Sequence, residues 1–212
     1  CIAQVTGMLG VFAFPALLPH FLDLWNLSNS QAGWISGIYF AGYSIAVPLL
    51  TSLTDHVDAR KIYLVSCFIG IIANLGFAVF SQGFWSALIF RALCGIGLAG
   101  TFIPGLKALL DRLEIRFLPR AVSFYTACFG LGMSLSFYYS GVIFDWFGWE
   151  VVFFGAAAGC SLVLLLSLIV LNPMPMKKSK STPTGILDVL DFRPVWQNYP
   201  ARRYIIAYMC HM

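Results

Sequence analysis

Arg91 sits inside the apolar run LIFRALCGIGLAG, where a guanidinium has no bulk water to solvate it. A charge at membrane depth costs at least about 2.5–3.5 kcal/mol on insertion scales, so it is expected to face a partner or a water-filled space. Three uses suit it. It can bind an anionic group of a bound molecule, tune a nearby carboxyl, or donate to backbone carbonyls of the first apolar run, residues 2–24, and hold the bundle together. Tyr39 and Tyr43 lie one helical turn apart, and Tyr125, Tyr138 and Tyr139 follow later in the chain. Rings carrying hydroxyls can line an amphipathic path or simply pack. His20 and Asp23 are three residues apart, hence on one helix face. An imidazole exchanges protons near neutral pH, so this pair suits an outer gate or proton acceptor; interfacial solvation is the plainer use. The most polar stretch of the first half is TSLTDHVDARK at 51–61. There Asp55 can accept hydrogen bonds at helix ends, with Arg60, Lys61 and Arg112 as candidate partners. Asp58 is expected at a tight turn, where a left-handed backbone suits Asp better than most residues.

The elements that position these residues are membrane helices. Of 212 residues, 59% are hydrophobic and only 10% charged, against about 25% charged in a soluble domain. The mean hydropathy of +0.82 agrees. Six segments approach the roughly 20 apolar residues that a span needs: 2–24, 31–50, 62–80, 84–110, 121–144 and 151–171. We number them spans 1 to 6. The connecting loops alternate in charge. Loops 26–30, 81–83 and 145–150 carry no Lys or Arg. The others carry Arg60 and Lys61, then Lys107, Arg112, Arg116 and Arg120, then Lys177, Lys178, Lys180, Arg193, Arg202 and Arg203. Every cation except Arg91 therefore sorts to one face, which predicts that face to be cytoplasmic and span 1 to run outward. Trp25, Trp34, Trp85, Trp146 and Trp149 lie near the cation-free loops, as an outer aromatic belt would.

A shift of ninety positions lays spans 1–3 on spans 4–6 without a gap. Gly7 meets Gly97, Gly10 meets Gly100, Phe12 meets Phe102, Gly42 meets Gly132, Ser44 meets Ser134 and Asp55 meets Asp145. Three helices per repeat invert the second copy, as the loop charges independently require. The expected fold is all-α and integral to the membrane: a six-helix bundle of two inverted three-helix repeats over 1–171. After it, 172–200 is rich in Pro and Lys and reads as a cytoplasmic linker. Within the linker, GILDVLDF could lie on the membrane as a short amphipathic helix or serve as a tether. Residues 201–212 read as the start of a seventh span, and the chain reads as a fragment of a longer protein. The six cysteines include no CxxC pair and read as small buried apolar residues, with no disulfide framework and no metal site. No cofactor is expected. Basic runs lack interleaved aromatics, so nucleic acid is not an expected partner.

Residues 51–61 resemble the signature loop between helices 2 and 3 of the major facilitator superfamily of transporters. That pattern is Gly, three residues, Asp, a basic residue, any residue, Gly, then mostly basic positions. Asp55, Arg60 and Lys61 match; Thr51 and Asp58 replace the glycines, His56 replaces the first basic residue, and Ala59 falls on a usually basic position. In span 4, Arg91, Gly95, Gly97 and Gly100 match the family's Arg and Gly-x-Gly pattern, while Cys94 departs from a usual Gln. Span 5 contains GLGMS but lacks the Gly-Pro pair of the family's drug antiporters. The resemblance implies half of a twelve-helix fold and a second six-helix half as partner. It also implies a membrane-lipid environment and alternating-access transport of a small molecule, in which Arg91 with Tyr39, Tyr43 and Tyr125 would serve substrate or coupling. Asp55, Arg60, Lys61 and Arg112 would form a switch loop. It places the protein in the cell membrane with loops 51–61, 107–120 and 172–203 cytoplasmic. A polytopic membrane enzyme is the competing class, and a non-transporting fragment the third.

Overall fold

Helix follows helix because each apolar run is long enough to satisfy its own backbone inside lipid. The structure is a computed structural model, and it describes residues 2–54, 56–171, 198–200 and 202–203. Among these it has helices α1 (Ile2–Gly7), α2 (Ala13–Ala16), α3 (Leu18–Leu24), α4 (Asn29–Leu53), α5 (Ala59–Phe80), α6 (Phe84–Leu110), α7 (Leu118–Phe147) and α8 (Trp149–Val170), with a single 3₁₀ turn at Ile115–Phe117. Helices α4 to α8 are spans 2 to 6, each long and apolar enough to cross a membrane.

Span 1 corrects the expectation of one continuous helix. It is three short helices with an irregular stretch at 8–12. The physical reason lies in its sequence. Gly7 and Gly10 have low helix propensity. Pro15 has no N–H to give the carbonyl of Val11, four residues earlier, and Pro19 repeats the defect one turn on.

Local signals set the other ends. Ser28 caps α4: its hydroxyl accepts from the Gln31 N–H at 3.2 Å, and the Gln31 side chain accepts from the Ser28 N–H at 2.9 Å. Asp58 also departs from expectation. Its φ is −51°, outside the left-handed region, and it caps α5 by accepting from the Arg60 N–H at 3.0 Å. A short side-chain acceptor was wanted there, not a left-handed turn. Among the described residues, positive φ falls instead at Asn26 and at Gly148, which ends α7 and opens α8.

The helices pair as two inverted repeats. Helix α4 packs on α6, and α5 packs on both α6 and α8. Helix α1 packs on α7 and α8, the repeat mates of those pairings. The ninety-position register holds at the level of atoms. A Cβ at Gly97 would lie 3.2 Å from the Gly70 nitrogen; in the mates Gly7 and Cys160, the Cys160 thiol lies 3.9 Å from the Gly7 carbonyl oxygen. A Cβ at Gly100 would collide with Ser66, and one at Gly10 would come within 3.1 Å of Ala156, again the mates.

At the cation-free end, Phe14, Phe21, Trp25, Phe77, Trp149 and Phe153 form one aromatic core, with Phe77 stacked on Phe153 at 4.0 Å. The expected belt thus divides. Trp34, Trp85 and Trp146 are exposed, whereas Trp25 and Trp149 turn inward.

The chain separates into two compact units, 1–178 and 179–212. In the second, the Arg202 N–H donates to the Asn198 carbonyl at 3.0 Å, and the Arg203 guanidinium lies 4.4 Å from the Tyr199 ring centre. The linker stretch GILDVLDF, Asp55 and, apart from 202–203, the expected start of span 7 lie outside the described residues.

Candidate functional site

The break in span 1 exposes carbonyls that no helical N–H reaches, and Arg91 of α6 takes two of them. Its Nη1 donates to the Gly10 carbonyl at 3.0 Å and its Nη2 to the Val11 carbonyl at 2.8 Å. Val11 is the carbonyl orphaned by Pro15, so the guanidinium replaces a missing backbone donor. Arg91 is fully buried, and its flat face lies 4.3 Å from the centre of the Tyr39 ring on α4. One side chain of span 4 thereby ties spans 1 and 2 together, through charge-assisted hydrogen bonds on one side and a cation–π contact on the other. Its Nε is buried without a hydrogen-bond partner. In this geometry the backbone-holding use of Arg91 is the one occupied.

Glycine makes that approach possible at Gly95. A Cβ there would collide with the Tyr39 carbonyl oxygen, which is backbone and cannot step aside. Gly42 plays the same part from the α4 side, where an added Cβ would lie 2.7 Å from the Ala92 carbonyl oxygen.

Helix α7 closes the opposite side with two clips. Ser136 donates to the Leu9 carbonyl at 2.7 Å and accepts from the Phe12 N–H at 3.0 Å, bridging the break in span 1. Tyr125 donates to the carbonyls of Thr101 and Phe102 at 3.1 and 2.9 Å, just ahead of Pro104 in α6. Phe12 and Phe102 are repeat mates, so both clips fall at corresponding places. Tyr39 and Tyr125 are buried between helices, and Tyr43 is half-buried beside Gly95. His20 packs on Phe144 with ring centres 4.8 Å apart while Asp23 is exposed, and no ion pair joins them among the described residues.

A second cluster gathers at the cation-rich end. Lys107, in the last turn of α6, donates to the carbonyl and hydroxyl oxygens of Thr54, both at 3.0 Å, and so caps the end of α4. Arg112 donates to the Ala108 carbonyl at 2.7 Å and lies 3.9 Å from the Asp58 carboxylate. Arg60 reaches the Leu168 carbonyl near the end of α8 at 3.3 Å, while Lys61 points outward. Of the loop residues singled out from sequence, Arg60 thus meets the end of α8 and Arg112 meets Asp58 and the end of α6, while Lys61 is exposed and Asp55 lies outside the described residues. Lys107, Thr54, Ser136 and Asn74, a buried amide of α5, were not singled out. Lys107 could have been found as a cation in the last turn of a helix, where carbonyls are free. Ser136 could not, because nothing local marks its partner 127 residues away.

Comparison with known proteins agrees with these features. The family model described as Major Facilitator Superfamily matches residues 1–212. The Arabidopsis thaliana protein named "Probable sphingolipid transporter spinster homolog 1" is 25% identical over 169 residues, 77% of this chain and 34% of that protein. The Niacin transporter NiaP of Acinetobacter baylyi is 23% identical over 144 residues, 68% of this chain and 32% of its own length. The Multidrug resistance protein MdtG of Proteus mirabilis is 25% identical over 187 residues, 88% of this chain and 43% of its own. The chain spans about a third of the length of the first two relatives and somewhat more of the third.

Proposed function

From the Major Facilitator Superfamily, to which this chain belongs, we propose that the bundle is one half of a secondary transporter that moves a small organic molecule by alternating access. A second six-helix half would pack against it, and the two would rock about a site near the membrane midplane. The cation-rich loops would face the cytoplasm. The cluster of Asp58, Arg60, Lys107 and Arg112, at the loop that carries Asp55 in sequence, would hold one of the two states. Arg91, with Tyr39, Tyr43 and Tyr125, would set the shape of spans 1, 2 and 4 beside the path.

The observation that carries this reading is a pair of unfilled faces. Along α4, Gly33, Gly37 and Ser44 are exposed at helical spacing; along α7, their repeat mates Ser123, Ala127 and Ser134 are exposed too. A Cβ at Gly33, Gly37 or Gly130 would touch nothing within 4 Å. Helix faces turned to lipid have no use for such small residues, whereas helix-to-helix contacts in membranes are enriched in them. Two small-residue faces related by the repeat suit a symmetric second half. The competing reading, a polytopic enzyme, would want ionisable groups gathered at one interface, and His20 and Asp23 do not pair.

The test is flux. The intact protein, reconstituted in liposomes, is offered radiolabelled sphingosine, niacin and a lipophilic cation, chosen from what the relatives' names suggest. Saturable uptake or release of one of them is expected, together with its loss in Arg91→Lys protein that is less stable but still folded at the assay temperature. Absence of saturable flux across a wider panel, or flux indifferent to Arg91→Lys, would sink the reading.

A further inference from the structure

Beside the Arg91 clamp lies a partly open space of about 30 Å³ lined by span 1, α4, α5, α6 and α8. Small residues open it: Gly7 and Gly10 in span 1, Gly70 in α5 and Gly97 in α6 all line it. So does Asn74, which is 95% buried by its 5% relative exposure. The Asn74 amide nitrogen donates to the Gly70 carbonyl at 2.8 Å, and its Oδ1 is buried with no hydrogen-bond partner. Because a carbonyl can only accept, that bond fixes which way round the amide sits. The group left over is therefore an acceptor. A Cβ on Gly10 would lie 2.7 Å from it, so the glycine keeps the oxygen clear at the point where span 1 breaks.

A buried acceptor left empty costs about 1–3 kcal/mol, and such groups in folded proteins have a partner, protein or water, nine times in ten or more. The partner must be a donor small enough for the space. A water needs roughly 10–15 Å³ of such volume, so the space is ample for one and too small for an organic molecule. A metal or alkali cation is disfavoured by charge. Tyr39, which also lines the space, carries the Arg91 guanidinium on its ring, and among the described residues no carboxylate lines the space to offset a second positive charge. An anion is disfavoured by the acceptor itself.

We propose that this space is a water site anchored on the buried Asn74 Oδ1, and that its water hydrates the broken stretch of span 1. Water that can re-pair freed backbone groups lets an irregular segment persist at membrane depth. Asn74 is then a positioning residue for the joint at 8–12. The inference rests on the cavity and its open acceptor, independently of the transport reading.

The wall supplies its own reporters, because Met and Cys are the side chains most readily oxidised by radicals. Met8 and Cys67 line the space and are 1% and 2% exposed, whereas Cys128 on α7 is 8% exposed and lies outside it. Millisecond X-ray pulses generate hydroxyl radicals from water wherever it sits, bound water included. In the intact protein in nanodiscs, Met8 and Cys67 are expected to oxidise several-fold faster than Cys128. In Asn74→Leu, which removes the acceptor and fills the space, they should fall to the Cys128 rate. In Asn74→Ser, which keeps a hydroxyl, they should not fall. Wild-type Met8 and Cys67 oxidising no faster than Cys128 would overturn the proposal, as would undiminished oxidation in folded Asn74→Leu. Should Asn74→Leu fail to fold, a drop to the Cys128 rate in folded Asn74→Ser would overturn it instead.

Discussion

At the scale of the residue, Arg91 is a backbone donor supplied from another helix. Pro15 withholds the N–H that Val11 would use, and a guanidinium eighty residues later provides one. The planar fork is what allows two carbonyls to be served at once while the face rests on Tyr39. Lys cannot reproduce that geometry. Arg91→Lys keeps the charge but is expected to lose one charged hydrogen bond, about 1.5–3 kcal/mol, visible as a lower melting temperature of the purified intact protein. An unchanged melting temperature would mean that span 1 is held elsewhere. Gly95→Ala is expected to be worse, because its methyl meets the Tyr39 carbonyl and only a separation of α4 from α6 relieves it; the readout is loss of monodisperse protein. Sequence alone gave Arg91 its importance, since a charge in an apolar run is visible without coordinates. It left the partner open among three, because the carbonyls it meets become available only through a break elsewhere in the chain.

At the scale of the element, span 1 is the lesson. Hydropathy sees a run of apolar side chains and reads one helix; it does not see that Gly7, Gly10, Pro15 and Pro19 leave the backbone short of donors. Those four residues were legible as a group, and the break could have been read from them. What was not legible is how the missing bonds are made good by Ser136 and Arg91 from distant spans. Helix α7 acts as a strap with two clips, and they are not equal. Removing Ser136 strips both a donor from Leu9 and an acceptor from Phe12, leaving a part-buried N–H unpaired. Ser136→Ala is therefore expected to cost about 1–3 kcal/mol. Removing the Tyr125 hydroxyl leaves only carbonyls short of a donor, so Tyr125→Phe should cost about 0.5–1.5 kcal/mol. Thermal unfolding of the two variants in one detergent checks the order. A larger loss in Tyr125→Phe would mean that the span 1 break pairs its backbone by another route.

At the scale of the molecule, the inverted repeat and the sorting of cations constrain each other. Contacts between Gly97 and Gly70, and between their mates Gly7 and Cys160, show that three helices are followed by three equivalent ones. An odd number of spans per copy must place the first copy's loops and the second copy's corresponding loops on opposite faces. The charges separate the two ends: Arg60, Lys61, Lys107, Arg112, Arg116 and Arg120 stand at one, and loop 81–83 at the other has none. This much was readable from sequence because loop charge and span count need no knowledge of packing. The exposed small-residue faces of α4 and α7 were not readable, because a glycine in a helix looks the same whether its neighbour is present or missing. Two experiments follow at this scale. Gly37→Leu fills a face that touches nothing in this bundle, so it should leave the bundle's own folding intact while abolishing flux in the intact protein. Flux that survives would remove the argument for a second half seated there. The orientation is tested with membrane-impermeant maleimide on intact cells. Gln82 and Arg116 are both exposed loop residues, and the described native cysteines are mostly buried. Gln82→Cys is expected to label from outside, and Arg116→Cys only after the cells are opened. Reversed labelling would invert the molecule in the membrane while leaving the repeat intact. Labelling of both from one side would require an even number of crossings between residues 82 and 116, which the single helix α6 cannot provide.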